Sequence, residues 1–254
     1  MNLQRDSSGV LHVIALSGGH DSTALSLLLR EREPRAYTYV CTPTGDELPE
    51  MFAHWRELGE ILGQRILPIM ATTLKQCITD EGALPNFKMR FCTRKIKIEP
   101  FIAWLCGQLH EGPVVAYVGL RADEEARKGG VYGQIEGIEQ RFPLREWGFG
   151  EDDVQATLRR FDVTVPNRTD CARCYHQRLG EWFELWRDHR DIFMDAVADE
   201  ARLGHTYRSP GRDTWPVALG AMGARFERGD QPTVSLNRMS RERMAAGGCR
   251  VCSL

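Results

Sequence analysis

A carboxylate, two hydroxyls and two adjacent glycines stand together near the start of the chain, at residues 17–22 (SGGHDS). The apolar residues 13–16 before them have the length of a buried strand, and the Leu- and Ala-rich residues 23–29 after them have a helical pattern. Glycines allow a tight turn with positive φ, and the N–H groups of a first helical turn have no acceptor within the helix. Because the helix dipole also favours negative charge at this end, the segment predicts a phosphate-binding turn.

An ordinary strand, turn and helix whose turn needs two glycines is the simpler interpretation of this segment. The hydroxyls and the carboxylate around the glycines favour a ligand site, although the segment is neither a Walker A loop nor a Gly-x-Gly-x-x-Gly turn. It resembles the PP-loop of the adenine-nucleotide α-hydrolases. The resemblance implies that the loop holds the phosphates of ATP and that Asp21 helps to hold Mg2+ during attack at the α-phosphate. The implied phosphate-binding residues are Ser17, Gly18, Gly19, Asp21 and Ser22.

Cysteines are the second group of residues that could do chemistry, and four of the eight form two Cys-x-x-Cys pairs, Cys171 with Cys174 and Cys249 with Cys252. One such pair is typical of a redox dithiol, of half a zinc site or of part of an iron–sulfur cluster. A zinc site would need two further ligands, which the second pair or His176 could supply. Three other cysteines lie in apolar surroundings and are predicted to be buried small hydrophobes: Cys41, Cys77 and Cys106.

The elements that must position these groups alternate between strand and helix over the first half of the chain. This alternation predicts an α/β fold with a doubly wound, mainly parallel sheet, in which ligands bind at the carboxyl ends of the strands. A loop over that edge is predicted for residues 117–139. Predicted strands lie at residues 13–16, 36–41, 65–69 and 114–118. Predicted helices lie at residues 23–29, 52–62, 73–79, 96–109, 152–161 and 177–201.

The character of the sequence changes near Pro166, where the strand and helix alternation ends. Residues 1–165 are therefore predicted to form a PP-loop nucleotide-binding α/β domain. Residues 166–254 are predicted to form a helical C-terminal appendage that carries the Cys-x-x-Cys motifs. The aromatic residues of the last predicted helix recur at helical spacing, which indicates a core face rather than a surface for stacking bases.

Five short motifs, taken in order, resemble those of the phosphoadenosine phosphosulfate (PAPS) reductase family, a branch of the PP-loop superfamily. They are SGGHDS at 17–22, TGDELPE at 44–50, CTRKIKIEP at 92–100, GLRADE at 119–124 and PLREW at 143–147. Each motif is weak alone, but all five in family order form a specific pattern that spans residues 13 to about 200. The phosphate loop is closer to that of the ATP-using members than to that of the PAPS reductases proper.

Charged and polar residues follow three predicted strands and should gather at the same edge of the sheet. The expected nucleotide contacts there, beyond the loop, are Thr44, Gly45, Gly119 and Arg121. A cation such as Arg121 would neutralise phosphate or a leaving pyrophosphate. Lys95 and Lys97 could do the same or be solvated surface residues. Two interpretations are also open for Asp46 and Glu47. They could face the nucleotide or Mg2+, or they could lie at the start of the next helix, where acidic residues are favoured.

The resemblance further implies that Cys92 joins Cys171 and Cys174 to hold a [4Fe-4S] cluster. The fourth ligand stays open between Cys249, Cys252 and none. In assimilatory reductases of the family a C-terminal cysteine attacks the sulfonyl sulfur, so the two tail cysteines are also candidate nucleophiles. They could equally ligate a metal or belong to a mobile tail.

The composition is that of an ordinary globular protein. The chain has 254 residues, of which 42% are hydrophobic and 27% are charged. Its net charge of -2 predicts no overall electrostatic attraction to nucleic acid. Neither a membrane span nor a signal peptide is predicted, so we expect a cytoplasmic protein. In a reducing compartment, eight cysteines favour thiol chemistry or metal binding over structural disulfides.

These observations predict an enzyme that binds ATP and Mg2+, activates an acceptor at the α-phosphate and transfers sulfur with the help of an iron–sulfur centre. One alternative is an adenylylsulfate or PAPS reductase that releases sulfite through a C-terminal cysteine. Another is a non-catalytic nucleotide-binding subunit of a modification or defence complex. The candidate partners are an adenine nucleotide, a sulfur-donor protein or thioredoxin, a nucleic-acid acceptor and a second copy of the chain, with no membrane.

Overall fold

The computed structural model describes residues 3–127, 129, 131–211 and 213–233 of the chain. Their centre is a five-stranded sheet with the order β3-β2-β1-β4-β5, in which every neighbouring pair is parallel. The strand order reverses between β1 and β4, which is where doubly wound sheets bind ligands. The strands are β1 Leu11–Ala15, β2 Thr38–Cys41, β3 Leu67–Pro68, β4 Val114–Tyr117 and β5 Ile138–Arg141.

Helices connect the strands and continue after the last of them. The described α-helices are α1 His20–Arg32, α2 Pro49–Leu62, α3 Leu74–Glu81, α4 Glu99–Gln108, α5 Pro143–Glu146, α6 Glu151–Arg160, α7 Leu179–Asp188, α8 Arg190–Leu203 and α9 Leu219–Glu227. A π-helical segment, Thr93–Ile98, leads into α4, and short 3-10 turns lie at Leu109–Glu111 and Val131–Gln134. Within the described residues no helix is long and apolar enough to cross a membrane.

Both faces of the sheet are covered, so the predicted doubly wound α/β fold is confirmed. On one face, Ile14 and Tyr117 of the sheet pack with apolar residues of α1, α2 and α6. On the other face, Val13 and Ala116 pack with residues of α4. The alternation along β1 follows from the strand period of two, because Val13 and Ile14 must point to opposite sides. A parallel strand buried on both faces therefore needs the near-continuous apolar sequence seen here.

A third core joins the C-terminal helices to the first half of the chain. It contains residues of α7, α8 and α9 together with Leu48, Cys77 of α3 and Ile96 of the π-helical segment. The helical character predicted for residues after Pro166 is thus present. The predicted domain boundary remains a prediction, although this core shows that the C-terminal helices pack directly on segments that precede it.

The single helix predicted for residues 177–201 is wrong, because the structure has two helices, α7 and α8, separated at His189. The backbone of His189 (φ -135°, ψ 62°) is not helical. Trp182 and Phe193 explain the break, since both are fully buried and their ring centroids lie 6.5 Å apart. In one straight helix these residues would be separated by about 16 Å along the axis. Folding back lets the two apolar faces bury each other.

A second correction concerns the predicted loop over residues 117–139, because its end belongs to a strand. β5 pairs in parallel with β4, with Val114 opposite Ile138 and Tyr117 opposite Arg141. The β5 sequence is Ile-Glu-Gln-Arg, and only Ile138 of it is buried. An edge strand has one unpaired side, so it tolerates polar residues. That polarity explains why the hydrophobic pattern did not predict the strand.

Candidate functional site

The glycine-rich loop connects β1 to α1 and is closed by its own serine hydroxyls. Gly18 has φ +85°, a conformation that glycine adopts without strain. The Gly18 N–H donates to Ser22 Oγ (3.2 Å), and Ser22 Oγ lies 3.0 Å from Ser17 Oγ. Gly19 is the N-cap of α1 and provides no side-chain cap. The N–H groups of the first turn of α1 are therefore left to other acceptors, as an anion site requires.

Helix α2 lies against this loop and restricts its shape. The Trp55 Nε1–H donates to the Ser17 carbonyl over 3.1 Å. A Cβ added to Gly18 would lie 2.5 Å from Trp55 Nε1 and 2.9 Å from Met51 Cε, so one of these side chains would have to move. Glycine at position 18 is therefore required by its φ angle and by its neighbours.

Asp21 and Arg121 meet at the point where the strand order reverses. Arg121 Nη1 donates to both Asp21 oxygens, at 3.2 and 3.4 Å, and the side chains are almost fully buried, with residue exposures of 3% and 4%. Gly119 makes this approach feasible, because a Cβ on it would lie 3.0 Å from the Ser22 N. The structure thus brings the ends of β1 and β4 together, as the sequence predicted.

Arg121 is held by groups on several sides. Its Nε donates to Asp123 Oδ1 (2.8 Å), its N–H donates to Glu124 Oε2 (3.2 Å), and its carbonyl accepts a hydrogen bond from Arg145 Nε (3.1 Å). A guanidinium fixed in this way presents its charge at a defined place, which is the requirement for stabilising a phosphate.

The pKa of Asp21 provides a test of this buried arrangement. Burial raises that pKa from 3.8 to about 6, and the Arg121 charge offsets only part of the effect. The folded protein therefore binds this proton more tightly than the unfolded chain, and protonation of Asp21 stabilises the fold. We expect the free energy of unfolding of the wild-type protein, relative to an Asp21→Asn variant, to be highest below pH 3.8 and to decrease as pH rises to about 6.

Urea denaturation of both proteins at a series of pH values from 3.5 to 7 measures this difference. The Asp21→Asn variant is the reference because it keeps the shape of the side chain and removes its titration. A difference that grows with pH would mean that the Arg121 charge, rather than burial, dominates the pKa of Asp21.

Three of the predicted metal ligands lie on one small cavity. Cys92, Cys171 and Cys174 line a space of about 20 Å³, roughly the room that one water molecule needs. Lys97 and Arg173 line the same cavity. Burial raises the pKa values of Cys92 and Cys171, so both are protonated thiols at neutral pH. Across the described part of the chain, no group of three or more His, Cys, Asp or Glu side chains is arranged to hold a metal ion.

The donor chemistry of this cavity fits an iron–sulfur cluster, and its present volume is too small for one. Thiolates are the usual protein ligands of such clusters, and three thiols from two distant segments converge here. The charge of Lys97 lowers the pKa values of Cys92 and Cys171 and would offset part of the negative charge of the thiolates. Loading a four-iron cluster would require the cavity to widen and the cysteines to lose their protons.

The turn after β2, residues 44–47, is fixed by its own acidic side chains. The Thr44 N–H donates to Glu47 Oε1 (2.6 Å), and the Gly45 N–H donates to Glu47 Oε2 (3.0 Å). Asp46 is bound by Arg173, whose N–H donates to Asp46 Oδ2 (3.0 Å) and whose Nε donates to Asp46 Oδ1 (2.8 Å). Asp46 and Glu47 thus both bind groups of the protein, and both precede α2, which begins at Pro49.

The 44–47 turn also contacts the backbone of the Cys-x-x-Cys segment. The Ala172 N–H donates to the Asp46 carbonyl (2.6 Å), and Glu47 forms an antiparallel bridge with Cys171. Thr44 lines the thiol cavity and hydrogen-bonds the Cys171 side chain, which favours the thiolate. The segment also reaches the phosphate loop, because a Cβ on Gly19 would lie 3.6 Å from Thr169 Oγ1.

An apolar groove of about 780 Å³ lies on the other side of the same turn. Phe52 and Met70 on it are 48% and 55% exposed, which is unusual for large apolar side chains. Its lining includes Cys41, Pro43, Gly45, Phe52, Trp55 and Met70. The groove adjoins the loop through Trp55, so a ligand with phosphates on the loop could place a flat apolar group here.

The remaining residues singled out in the sequence differ in their surroundings. Lys95 pairs with Glu81, whereas Lys97 lines the cavity of the three thiols. Cys41 and Cys77 are buried as predicted, and Cys106 is half-buried. The candidate nucleophiles Cys249 and Cys252 lie outside the described residues, so their predicted role is untested.

Sequence reasoning missed two residues of this region, His54 and Arg173. His54 belongs to the buried stripe of α2, which also contains Met51, Leu58 and Leu62. A histidine within such a stripe is a recognisable signal, because an apolar residue would be expected there. Arg173 stands between two cysteines, and nothing in its sequence context indicates that it pairs with Asp46.

Comparison with known proteins gives distant similarities. No known family's sequence model matches the chain. An uncharacterized nin region protein of Escherichia phage lambda, ORF290, is 22% identical over 284 aligned positions, which cover 94% of this chain and 93% of that protein. The crystal structure of phosphoadenylyl-sulfate (PAPS) reductase from Candida auris, in a phosphate complex, superposes with a TM-score of 0.46 and 13% identity. That superposition covers 62% of this chain and 74% of that one.

Proposed function

We propose that the chain is a PP-loop enzyme of the PAPS reductase family that binds ATP with Mg2+, reacts at the α-phosphate and transfers sulfur to an acceptor. The observation that carries this proposal is the position of the 44–47 turn. Thr44 lines the cavity of the three thiols, Gly45 lines the groove beside the phosphate loop, and Asp46 binds Arg173 between the cysteines. A nucleotide on the loop would therefore be a close neighbour of the thiols.

The residues of the loop supply binding and orientation. The first-turn N–H groups of α1 and the hydroxyls of Ser17 and Ser22 would bind phosphate oxygens, and the groove would take the adenine ring. Arg121 would neutralise charge that develops on the leaving pyrophosphate. Asp21 offers the carboxylate oxygens that Mg2+ prefers. When bound, Mg2+ would lower the repulsion between the phosphates and the attacking oxygen.

The reaction would proceed in two displacements. In the first, an acceptor oxygen forms a bond to the α-phosphorus, the bond to the bridging oxygen breaks, and pyrophosphate leaves with that electron pair. In the second, hydrosulfide supplied by a donor forms a bond to the acceptor carbon and loses its proton, and AMP leaves with the former acceptor oxygen and the electron pair of the broken carbon–oxygen bond. A nucleic-acid base would be a suitable acceptor, because its carbonyl oxygen can react in this way.

The three cysteines would hold the [4Fe-4S] cluster, which would supply a site for sulfide or electrons when bound. We expect about four irons and four sulfides per chain after anaerobic purification, and loss of both in a Cys171→Ala variant. The matched control is Cys106→Ala, because Cys106 is half-buried on α4 and takes no part in the thiol cavity. Iron, sulfide and zinc analysis of the three proteins makes the measurement.

Two results would contradict the cluster. One zinc per chain in place of iron would assign the cysteines a structural role. Absence of metal, with formation of a disulfide on air oxidation, would assign them thiol redox chemistry and favour the reductase alternative.

The nucleotide chemistry is tested by comparing two substrates with the intact protein under anaerobic conditions. We expect pyrophosphate and AMP from ATP with Mg2+, with water as the acceptor. Sulfite from PAPS without turnover of ATP would support the reductase instead. Binding of ATP with no turnover, together with a stable co-purifying partner, would support a non-catalytic subunit.

A further inference from the structure

The segment that carries Cys92 to the thiol cavity, residues 82–98, is strongly basic and partly apolar at its surface. It contains five cations and no acid, in a chain whose net charge is -2. Two of its large apolar side chains, Phe87 and Met89, are 48% and 46% exposed. A half-exposed phenylalanine adds little to the fold, because the gain from burial scales with the area removed from water. This basic segment therefore has the composition of a surface that binds an anionic and partly apolar partner.

Phe87 stands on the aromatic side of the thiol cavity. Its ring centroid lies 5.2 Å from that of Tyr175 and 4.8 Å from that of His176, with interplanar angles of 88° and 82°. Tyr175 is buried and lines the thiol cavity. These edge-to-face contacts hold the Phe87 ring in place while half of its surface remains in solvent. A flat group stacked on Phe87 would be separated from the thiols by little more than the Tyr175 ring.

The cations of the basic segment have two kinds of surroundings. Arg94 and Lys95 form ion pairs with acids that flank the segment, Glu99 and Glu81. Lys88 follows Phe87 directly, is exposed, and forms no ion pair with a described residue. Lys88 is therefore the cation next to Phe87 that an anion in solution can contact.

An acidic protein surface is the competing partner for this segment. A stable interface between two proteins covers about 800 Å² on each side, whereas the exposed apolar part here consists of two side chains. An aromatic ring beside a cation is instead suited to one nucleotide of a single strand, because the base stacks on the ring and the cation contacts the phosphate. A duplex stacks its bases on each other and could not use the ring.

We propose that the basic segment binds a single-stranded nucleic acid, with one base stacked on Phe87 and a backbone phosphate bound by Lys88. This inference rests on the proposed function and deepens it, because it makes a single-stranded nucleic acid the sulfur acceptor. The base on Phe87 would lie beside Tyr175, at the edge of the thiol cavity.

The first test measures dissociation constants by fluorescence anisotropy, with labelled single strands of RNA and DNA of about 12 nucleotides and the corresponding duplexes. We expect the wild-type protein to bind a single strand more tightly than a duplex. Phe87→Leu keeps an apolar side chain and removes the ring, so it should weaken single-strand binding about tenfold. Phe87→Tyr keeps the ring and should bind within about threefold of the wild type.

The second test concerns the phosphate contact and uses the salt dependence of the same binding. Because each neutralised phosphate releases counterions, Lys88→Gln should reduce the slope of log affinity against log salt concentration by about 0.7. Arg159→Gln is the matched control and should leave that slope unchanged. Arg159 is an exposed cation of α6, a helix that packs on α1.

Several results would overturn the inference and leave the proposed function intact. They are absence of single-strand binding by wild-type protein that turns over ATP, equal affinities for single strand and duplex, and equal affinities of the wild-type and Phe87→Leu proteins. Polyglutamate bound as tightly as the single strand would also overturn it and would indicate an acidic protein as the partner. The expected binding by a protein that releases neither pyrophosphate nor AMP from ATP would overturn the proposed function and leave the nucleic-acid surface.

Discussion

Replacing Asp21 by asparagine is expected to lower nucleotide turnover by about a thousandfold or more while the protein stays folded. The change removes one negative charge and keeps the shape and hydrogen-bonding oxygen of the side chain beside Arg121. Phosphoryl transfer depends on positioning and electrostatic stabilisation, so a lost charge at the reacting phosphate is costly. At neutral pH the variant should be at least as stable as the wild type, because the burial that raises the pKa of Asp21 makes its charged form costly to the fold.

The matched control is Asp123→Asn, which neutralises a second carboxylate that binds the same arginine. Arg121 Nε donates to Asp123 Oδ1, but the Asp123 side chain is 44% exposed and its other oxygen accepts from the N–H of Glu151 at the start of α6. We expect turnover of this variant to stay within about threefold of the wild type. Pyrophosphate release from ATP, with the melting temperature of each protein, makes the comparison. Full turnover by Asp21→Asn would rule out a reaction that uses the Asp21 carboxylate.

The sequence predicted the strand, glycine turn and helix around residues 17–22 because their constraints are local. Glycine is needed where φ is +85° at Gly18, and an apolar run is needed where β1 is buried on both faces. Arg121 could also be located from the sequence, since it follows a strongly apolar strand and must lie at the carboxyl edge of the sheet. Such requirements restrict the residue type at each position and are therefore visible in a single sequence.

Features that depend on distant contacts could not be predicted in the same way. The helical period continues through residues 177–201, and only the contact between Trp182 and Phe193 reveals that the helix folds back at His189. Likewise, the acidic Asp46 is suited to several roles until its partner Arg173, 127 positions away, is known. Partners of this kind are set by the packing of the third core rather than by the sequence around either residue.

The same contact links the two chemical parts of the candidate site. Asp46 belongs to the turn that separates the groove from the thiol cavity, and Arg173 belongs to the Cys-x-x-Cys segment. A buried ion pair therefore holds the groove and the thiol cavity in fixed positions relative to each other. Asp46 and Arg173, which have no proposed chemical role, should consequently control the position of the groove relative to the thiol cavity.

Replacing Arg173 by methionine is expected to destabilise the protein by about 3–5 kcal/mol, because it leaves the carboxylate of Asp46 buried without a cation. Arg173 and Asp46 side chains are 8% and 7% exposed, so solvent cannot compensate for the loss. For a chain of this length, the melting temperature should fall by about 10 °C. If the cysteines hold a cluster, the iron content should fall as well, since the Cys-x-x-Cys segment loses the guanidinium contacts that bind it to Asp46.

A second variant shows whether the buried charge is the cause. Adding Asp46→Asn to Arg173→Met should recover part of the lost stability, because a neutral amide costs less to bury than an unpaired carboxylate. Arg187→Met is the control for loss of an arginine in general, since its ion pair with Asp188 is exposed and worth about 0–1 kcal/mol. Denaturant unfolding of the three variants measures these differences. Arg173 Nη1 also binds Asp199, at 2.9 Å. If the double variant were no more stable than Arg173→Met, the arginine would stabilise the fold through packing and through Asp199 rather than by neutralising Asp46.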